Sequence, residues 1–232
     1  LIYDMGRDIA RQFRRAWIQM NFAPVADVNN NPQNPVINTR SFGEDPRQVS
    51  MKVIAYMQGM QDGGLLVTAK HFPGHGDTDT DSHIALPVLP FSRERLDSVE
   101  LYPFKEAINR GLTGVMVAHL QVPAFDDRSN RPTSVSEKAV RGVLREELGF
   151  QGLVITDAMN MKGLSGYFEP GEVEVEAVKA GNDILLMPAD AGRAITEIKK
   201  AVRRGEISRE RIDQSCRKIL QAKYWAGLNE IG

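Results

Sequence analysis

Leu65-Leu66-Val67-Thr68-Ala69-Lys70-His71-Phe72-Pro73-Gly74-His75-Gly76-Asp77-Thr78-Asp79-Thr80-Asp81-Ser82-His83 reads as a buried strand running out into a polar loop. Its apolar start, Leu65-Leu66-Val67, needs a core. Its fourteen-residue end, Lys70 to His83, carries one lysine, three of the chain's four histidines and three aspartates. Solubility alone does not call for that much histidine. A strand that delivers chemistry at its C-terminal end is the working unit of α/β enzymes.

The same unit recurs on either side. Residues 5–18 carry Ile9, Phe13, Ala16 and Trp17 at helical spacing and lead into Met20-Asn21-Phe22-Ala23-Pro24-Val25-Ala26-Asp27-Val28, a strand with a polar end. An Asn/Pro loop covers 29–39, and helix is predicted over 46–62. Ser92 and Glu94 open a helix predicted over 92–110, followed by the strand Thr113-Gly114-Val115-Met116-Val117-Ala118-His119. Ser136 starts a helix that ends at Gly149. The strands Gly152-Leu153-Val154-Ile155-Thr156-Asp157 and Asp183-Ile184-Leu185-Leu186-Met187-Pro188 come next, and then helices over 191–204 and 208–226.

Several of these strands are continuously apolar, as strands buried on both faces of a parallel sheet are. A doubly wound sheet and a (β/α)8 TIM-type barrel both fit that rhythm. The strand ends favour the barrel. Asp27, Lys70-His71, His119 and Asp157 fall at or just past the C-terminal ends of different strands, and a barrel converges such residues on one mouth. Five strands are too few to close one. The chain opens in mid-helix at Leu1-Ile2-Tyr3-Asp4, without a methionine or a signal-peptide layout, and reads as a piece of something longer.

Composition narrows the function. With 29 basic and 30 acidic residues and no block of either sign, the chain has no general attraction to nucleic acid or anionic membrane. Its one cysteine, Cys216, excludes an internal disulfide and a thiolate metal cluster. No apolar run reaches the ~18 residues of a membrane span.

Asp157 ends a buried strand, where a carboxylate costs free energy unless it is paired or used; a helix cap or turn is the plain alternative. Asp81 and His83 lie two apart, so the carboxylate can hold one imidazole nitrogen and orient the other for proton transfer near neutral pH. Lys70 and His71 can bind an anion or sugar hydroxyls, and so can Arg40, unless it is paired with Glu44 or Asp45. Asp77-x-Asp79-x-Asp81 imitates the opening of a calcium loop, but Ser82 and Val88 stand where that loop needs glycine and glutamate. His71, His75 and His83 with the aspartates could ligate zinc or iron, although their spacing matches no established pattern.

In order along the chain, Asn21-Phe22-Ala23-Pro24-Val25-Ala26-Asp27-Val28, Arg40-Ser41-Phe42, Lys70-His71-Phe72-Pro73-Gly74-His75-Gly76 with Asp81-Ser82-His83, Ile155-Thr156-Asp157-Ala158-Met159 and Ala180-Gly181-Asn182-Asp183-Ile184-Leu185-Leu186-Met187 resemble glycoside hydrolase family 3, in its β-N-acetylglucosaminidase branch. The resemblance spans essentially the whole chain. It implies a (β/α)8 barrel, no cofactor, no metal, and a retaining exo-β-N-acetylglucosaminidase of the peptidoglycan-recycling type. Asp157 matches the nucleophile, His83 the general acid/base and Asp81 its partner. Arg40, Lys70 and His71 match residues that hold the N-acetylglucosamine ring, with His119 expected in the same pocket.

The partners implied are a carbohydrate substrate and further parts of the same polypeptide. The family carries barrel strands ahead of the helix that opens this chain, so residues 1–232 are expected to form an N-terminal-type barrel domain lacking its first strands and inactive alone. Cytoplasmic placement is the default, and a preceding segment would decide export. A β-glucosidase, a β-xylosidase, a phosphorylase, a metal-dependent hydrolase and a non-catalytic sugar-binding module are the alternatives.

Overall fold

The computed structural model of the chain describes residues 1–79 and 86–229. Helix α1 (Ile2–Arg15) leads into strand β1 (Met20–Asn21), and α2 (Pro46–Asp62) into β2 (Leu66–Phe72). Helices α3 (Arg93–Ser98) and α4 (Tyr102–Asn109) precede β3 (Gly114–Val117), and a π-type helix (Lys138–Glu147) precedes β4 (Leu153–Thr156). Helices α5 (Lys162–Ser165), α6 (Glu172–Ala180), α7 (Ala191–Arg203) and α8 (Arg209–Trp225) complete the chain.

All pairings are parallel, and the sheet order is β1-β2-β3-β4, each strand beside its successor in sequence. A fifth segment extends the series: Ile184 bridges Ile155 in parallel, Ile184 N donates to Val154 O at 3.1 Å, and Thr156 N donates to Ile184 O at 3.0 Å. A doubly wound sheet reverses its strand order at a switch point, and this one never does. It is an arc of (β/α)8 barrel wall. Beyond its two paired residues β1 keeps to β2 through Thr68 N to Ala23 O, Lys70 N to Pro24 O and a Val25–Lys70 bridge.

The layers follow from side-chain pattern. Val49, Val53, Met57 and Met60 line the inner face of α2 and meet Val67, Ala69 and Phe72 of β2 in one core with Val115, Val117 and Val154. Each such large buried side chain contributes about 1.5–3 kcal/mol. Helices α1 and α2 cross backbone to backbone, because a Cβ on Gly6 would collide with Tyr56 O and one on Gly59 with Tyr3 O. Asp45 caps α2 by accepting from Gln48 N at 2.8 Å, with Pro46 in the first turn, so Asp45 is not the partner of Arg40.

One prediction changes, and one helix lies where none was predicted. The helix expected over 92–110 breaks between Ser98 and Tyr102, since Pro103 has no N–H to give and its ring opposes the carbonyl a turn earlier. Helix α6 has no amphipathic signal: Glu172-Val173-Glu174-Val175-Glu176 alternates like a strand. It is helical because Glu174 accepts from Gly171 N at 2.6 Å, and because Val173 and Ala177 face one small core while Val175 and Val178 face another. No helix among the described residues is long and apolar enough to cross a membrane.

Candidate active site

Four strands carry polar side chains at or past their C-terminal ends. Asp27 follows β1, Lys70 and His71 lie within the end of β2, His119 is two residues past β3, and Asp157 is one past β4. A cavity of about 180 Å3 is lined by Phe22, Val36, Arg40, Lys70, His71, His75, Met116, Asp157 and Leu186. Arg40, Lys70, His71 and Asp157, read separately from the sequence, thus share one cavity.

The organiser of the β2 end is Asp27, which is 0% exposed. Its Oδ1 accepts from His71 N at 3.1 Å and from His75 N at 2.7 Å, and its Oδ2 lies 2.7 Å from His71 Nδ1. A carboxylate only accepts, so His71 Nδ1 carries the proton and donates. Burial opposes the Asp27 charge, but the His71 and His75 rings and these hydrogen bonds outweigh it and hold the pKa below its ordinary value. The Lys70–His71 and Phe72–Pro73 peptide bonds are cis.

The loop beyond is tied down in turn. Asn34 Nδ2 donates to His75 O at 2.7 Å, and the Thr78 hydroxyl lies 2.7 Å from His75 Nδ1. Arg95 Nη2 sits 3.0 Å from both Asp77 and Glu100 and its guanidinium lies over Phe91, so helix α3 grips the loop from outside. Burial, then the charges of Asp27 and His71 against it and with it, leaves the His75 pKa lowered.

Lys70 is half-buried, and its pKa is lowered, first by burial and then by the Arg40 charge, with Asp157 and Asp27 acting the other way. Arg40 is exposed at the rim; Nη1 donates to Val36 O at 3.0 Å, and no ion pair of Arg40 occurs among the described residues. Asp157 is half-buried, and its Oδ1 accepts from Ala158 N at 2.8 Å.

His119 departs from expectation. It is 0% exposed and does not line the cavity. Its Nδ1 lies 2.7 Å from Ser134 Oγ and its Nε2 3.1 Å from Ala158 O, so both ring nitrogens are engaged behind Asp157 rather than toward a sugar. Burial lowers its pKa, against the pull of Asp157. Asp81 and His83 lie outside the described residues. On the near side Asn31 Nδ2 donates to Asp79 Oδ1 at 2.6 Å, and on the far side Val88 bridges Gln121, just past His119.

Sequence reasoning missed Asp27 and His75 as site residues, and Ser134 and Asn34 altogether. Asp27 did carry a signal, a carboxylate at the end of an apolar strand. Ser134 and Asn34 carried none. Among the described residues no group of three or more His, Cys, Asp or Glu is placed to hold a metal ion.

The model of the glycosyl hydrolase family 3 N terminal domain matches residues 1–222. Beta-hexosaminidase A of Pseudoalteromonas piscicida is 37% identical over 93% of this chain and 39% of its own length. Beta-hexosaminidase LpqI of Mycobacterium tuberculosis is 35% identical over 96% of the chain and 58% of its own. A solved family 3 beta-N-acetylglucosaminidase from Paenibacillus sp. str. FPU-7 is 42% identical and superposes with a TM-score of 0.96 over 100% of this chain and 44% of that one. The chain therefore spans about 39–58% of the length of these relatives.

Proposed function

Because the chain belongs to glycosyl hydrolase family 3, we propose that it is the sugar-binding and nucleophile-bearing part of a retaining exo-β-N-acetylglucosaminidase acting on peptidoglycan-derived or related glycosides. One observation carries the reading: the Asp157 carboxylate opens into the same cavity as Arg40, Lys70 and His71. At about 180 Å3 that cavity is smaller than the ~300–1,000 Å3 of drug-sized sites, which suits a single terminal sugar.

In this reading Arg40, Lys70 and His71 donate to the sugar's oxygens. Asp157 attacks the anomeric carbon as the bond to the leaving oxygen breaks, giving a glycosyl ester. His83, oriented by Asp81, delivers the proton to that oxygen and then takes one from the incoming water, whose attack frees Asp157. A neutral imidazole repels an incoming anion less than a carboxylate would, so phosphate is an admissible acceptor in place of water. His119 is assigned no sugar contact.

The reading extends to the rest of the polypeptide. Among the described residues β1 pairs on one side only. Residues 1–232 are proposed as one barrel domain, with N-terminal strands of the same polypeptide closing the free β1 edge and further domains beside it. The test is labelling of the full-length protein by a 5-fluoro N-acetylglucosaminyl fluoride, which keeps the C2 acetamido group, with the site found by mass spectrometry. A label on Asp157 is expected, and one on any other residue overturns the assignment. Product analysis with and without inorganic phosphate then identifies the acceptor.

A further inference from the structure

The backbone that carries Asp157 is clamped from three sides. Asp157 N donates to Val117 O at 2.8 Å, which fixes the peptide before it. The Ala158–Met159 peptide is held at both poles: Met159 N donates to Leu186 O at 2.8 Å, and Ala158 O faces His119 Nε2 at 3.1 Å. Between these fixed planes Ala158 N donates to the Asp157 carboxylate at 2.8 Å. The aim of the carboxylate thus depends on where the Ala158 backbone sits.

The His119 contact is selective about protonation. A carbonyl oxygen only accepts, so Nε2 must carry the hydrogen, and Nδ1 accepts from the Ser134 hydroxyl 2.7 Å away. One neutral tautomer satisfies both partners. Ser134 is itself fixed: it is 0% exposed, and its carbonyl accepts from Asn182 Nδ2 at 2.8 Å, beside the fifth strand segment. Burial of His119 favours the same neutral form.

We propose that His119 and Ser134 are positioning residues for the Asp157 carboxylate, acting through the Ala158 backbone: Ser134 sets the imidazole tautomer, His119 holds Ala158 O, and Ala158 N holds Asp157. The proposal rests on the reading of Asp157 as the nucleophile. It replaces direct sugar contact as the reason for a histidine at the end of β3.

Two substitutions separate the two ring nitrogens. His119→Asn keeps an amide near Nδ1, within reach of Ser134, and loses the donor to Ala158 O. His119→Gln places an N–H near the Nε2 position. In the full-length protein, the rate of Asp157 labelling at saturating 5-fluoro N-acetylglucosaminyl fluoride is expected to fall about 10- to 100-fold in His119→Asn, the scale of a misplacement of about 1 Å. His119→Gln is expected to recover most of it. N-acetylglucosamine affinity should stay within about twofold of wild type in both, since neither side chain reaches the sugar. Ser134→Ala, which removes only a hydroxyl, is expected to slow labelling in the same direction and keeps the test open should His119→Asn not fold.

Wild-type labelling rates in His119→Asn or Ser134→Ala overturn the proposal. So does a loss of N-acetylglucosamine affinity equal to the loss of rate, which would return His119 to the sugar pocket. So does a His119→Gln variant no faster than His119→Asn at equal melting temperature. If the wild-type protein itself is labelled at a residue other than Asp157, it is the functional reading that fails, and this inference with it.

Discussion

Asp27 and His71 form a buried carboxylate–imidazole pair, Oδ2 to Nδ1 at 2.7 Å, with Asp27 0% exposed. The pair joins the end of β1 to the end of β2. It turns the Nε2 edge of His71 outward to the cavity, because Nδ1–H is committed to the carboxylate. The second Asp27 oxygen holds the backbone of both His71 and His75. One carboxylate therefore fixes two residues of the loop on which the proposed sugar site is built.

Asp27→Asn should cost about 1.5–3 kcal/mol, the worth of hydrogen bonds to a charged group. The folded pKa of Asp27 is lowered, since the His71 and His75 rings outweigh the opposing effect of burial. Its contribution is then present above the unfolded value, about 3.9, and is lost as pH falls through the lower folded value. Urea unfolding of wild type and variant from pH 7 to pH 3 checks both statements. The stability gap should close only at the acid end; a gap unchanged down to pH 3 places the effect elsewhere.

His75 and His119 are both lowered by burial, so their effect lies in a separate window. As pH falls through the unfolded histidine value, about 6.5, the unfolded chain takes up protons first and the folded state loses ground. The slope is at most about 1.4 kcal/mol per pH unit for each histidine. Stability should thus decline between about pH 6.5 and the folded values, and His119→Gln should make that decline shallower. An identical slope in wild type and variant contradicts a neutral, buried His119.

Lys70 lines the same cavity as Asp157. Lys70→Met keeps its stem and removes its charge. The variant should bind N-acetylglucosamine about 10- to 100-fold more weakly, the worth of one charge-assisted hydrogen bond. Isothermal titration against wild type measures this. Unchanged affinity removes Lys70 from the sugar site and leaves Arg40 and His71 as its donors.

The sequence made legible whatever depends on local pattern or on strand ends. Apolar runs marked the strand positions, and the polar residues at their C-termini pointed to a barrel mouth, where Lys70, His71 and Asp157 indeed share a cavity. It concealed what depends on neighbours distant in sequence. Nothing in Glu172-Val173-Glu174-Val175-Glu176 announces that alternate valines pack on two different cores in a helix. Likewise His119 could be placed at a strand end, but its orientation is set by Ser134 and Ala158, 15 and 39 residues away in the chain.

Gly76 offers the sharpest test of how the loop is seated. An added Cβ there would overlap Val28 O, and Val28 O also accepts from Asn30 N at 3.0 Å, so the obstacle is bonded backbone rather than a movable side chain. The loop from Gly74 to Asp79 would have to lift away from the chain beyond β1, pulling on the His75 N to Asp27 bond at 2.7 Å. Gly76→Ala should therefore cost about 1–3 kcal/mol, as overpacking does, and should weaken N-acetylglucosamine binding at the same time. Gly142, in the π-type helix, has nothing within 4 Å of an added Cβ. Gly142→Ala should instead leave stability unchanged or raise it by up to about 1 kcal/mol. Thermal and urea unfolding of the two alanine variants give the comparison, and equal effects at the two sites would mean that the Gly76 backbone is free to move.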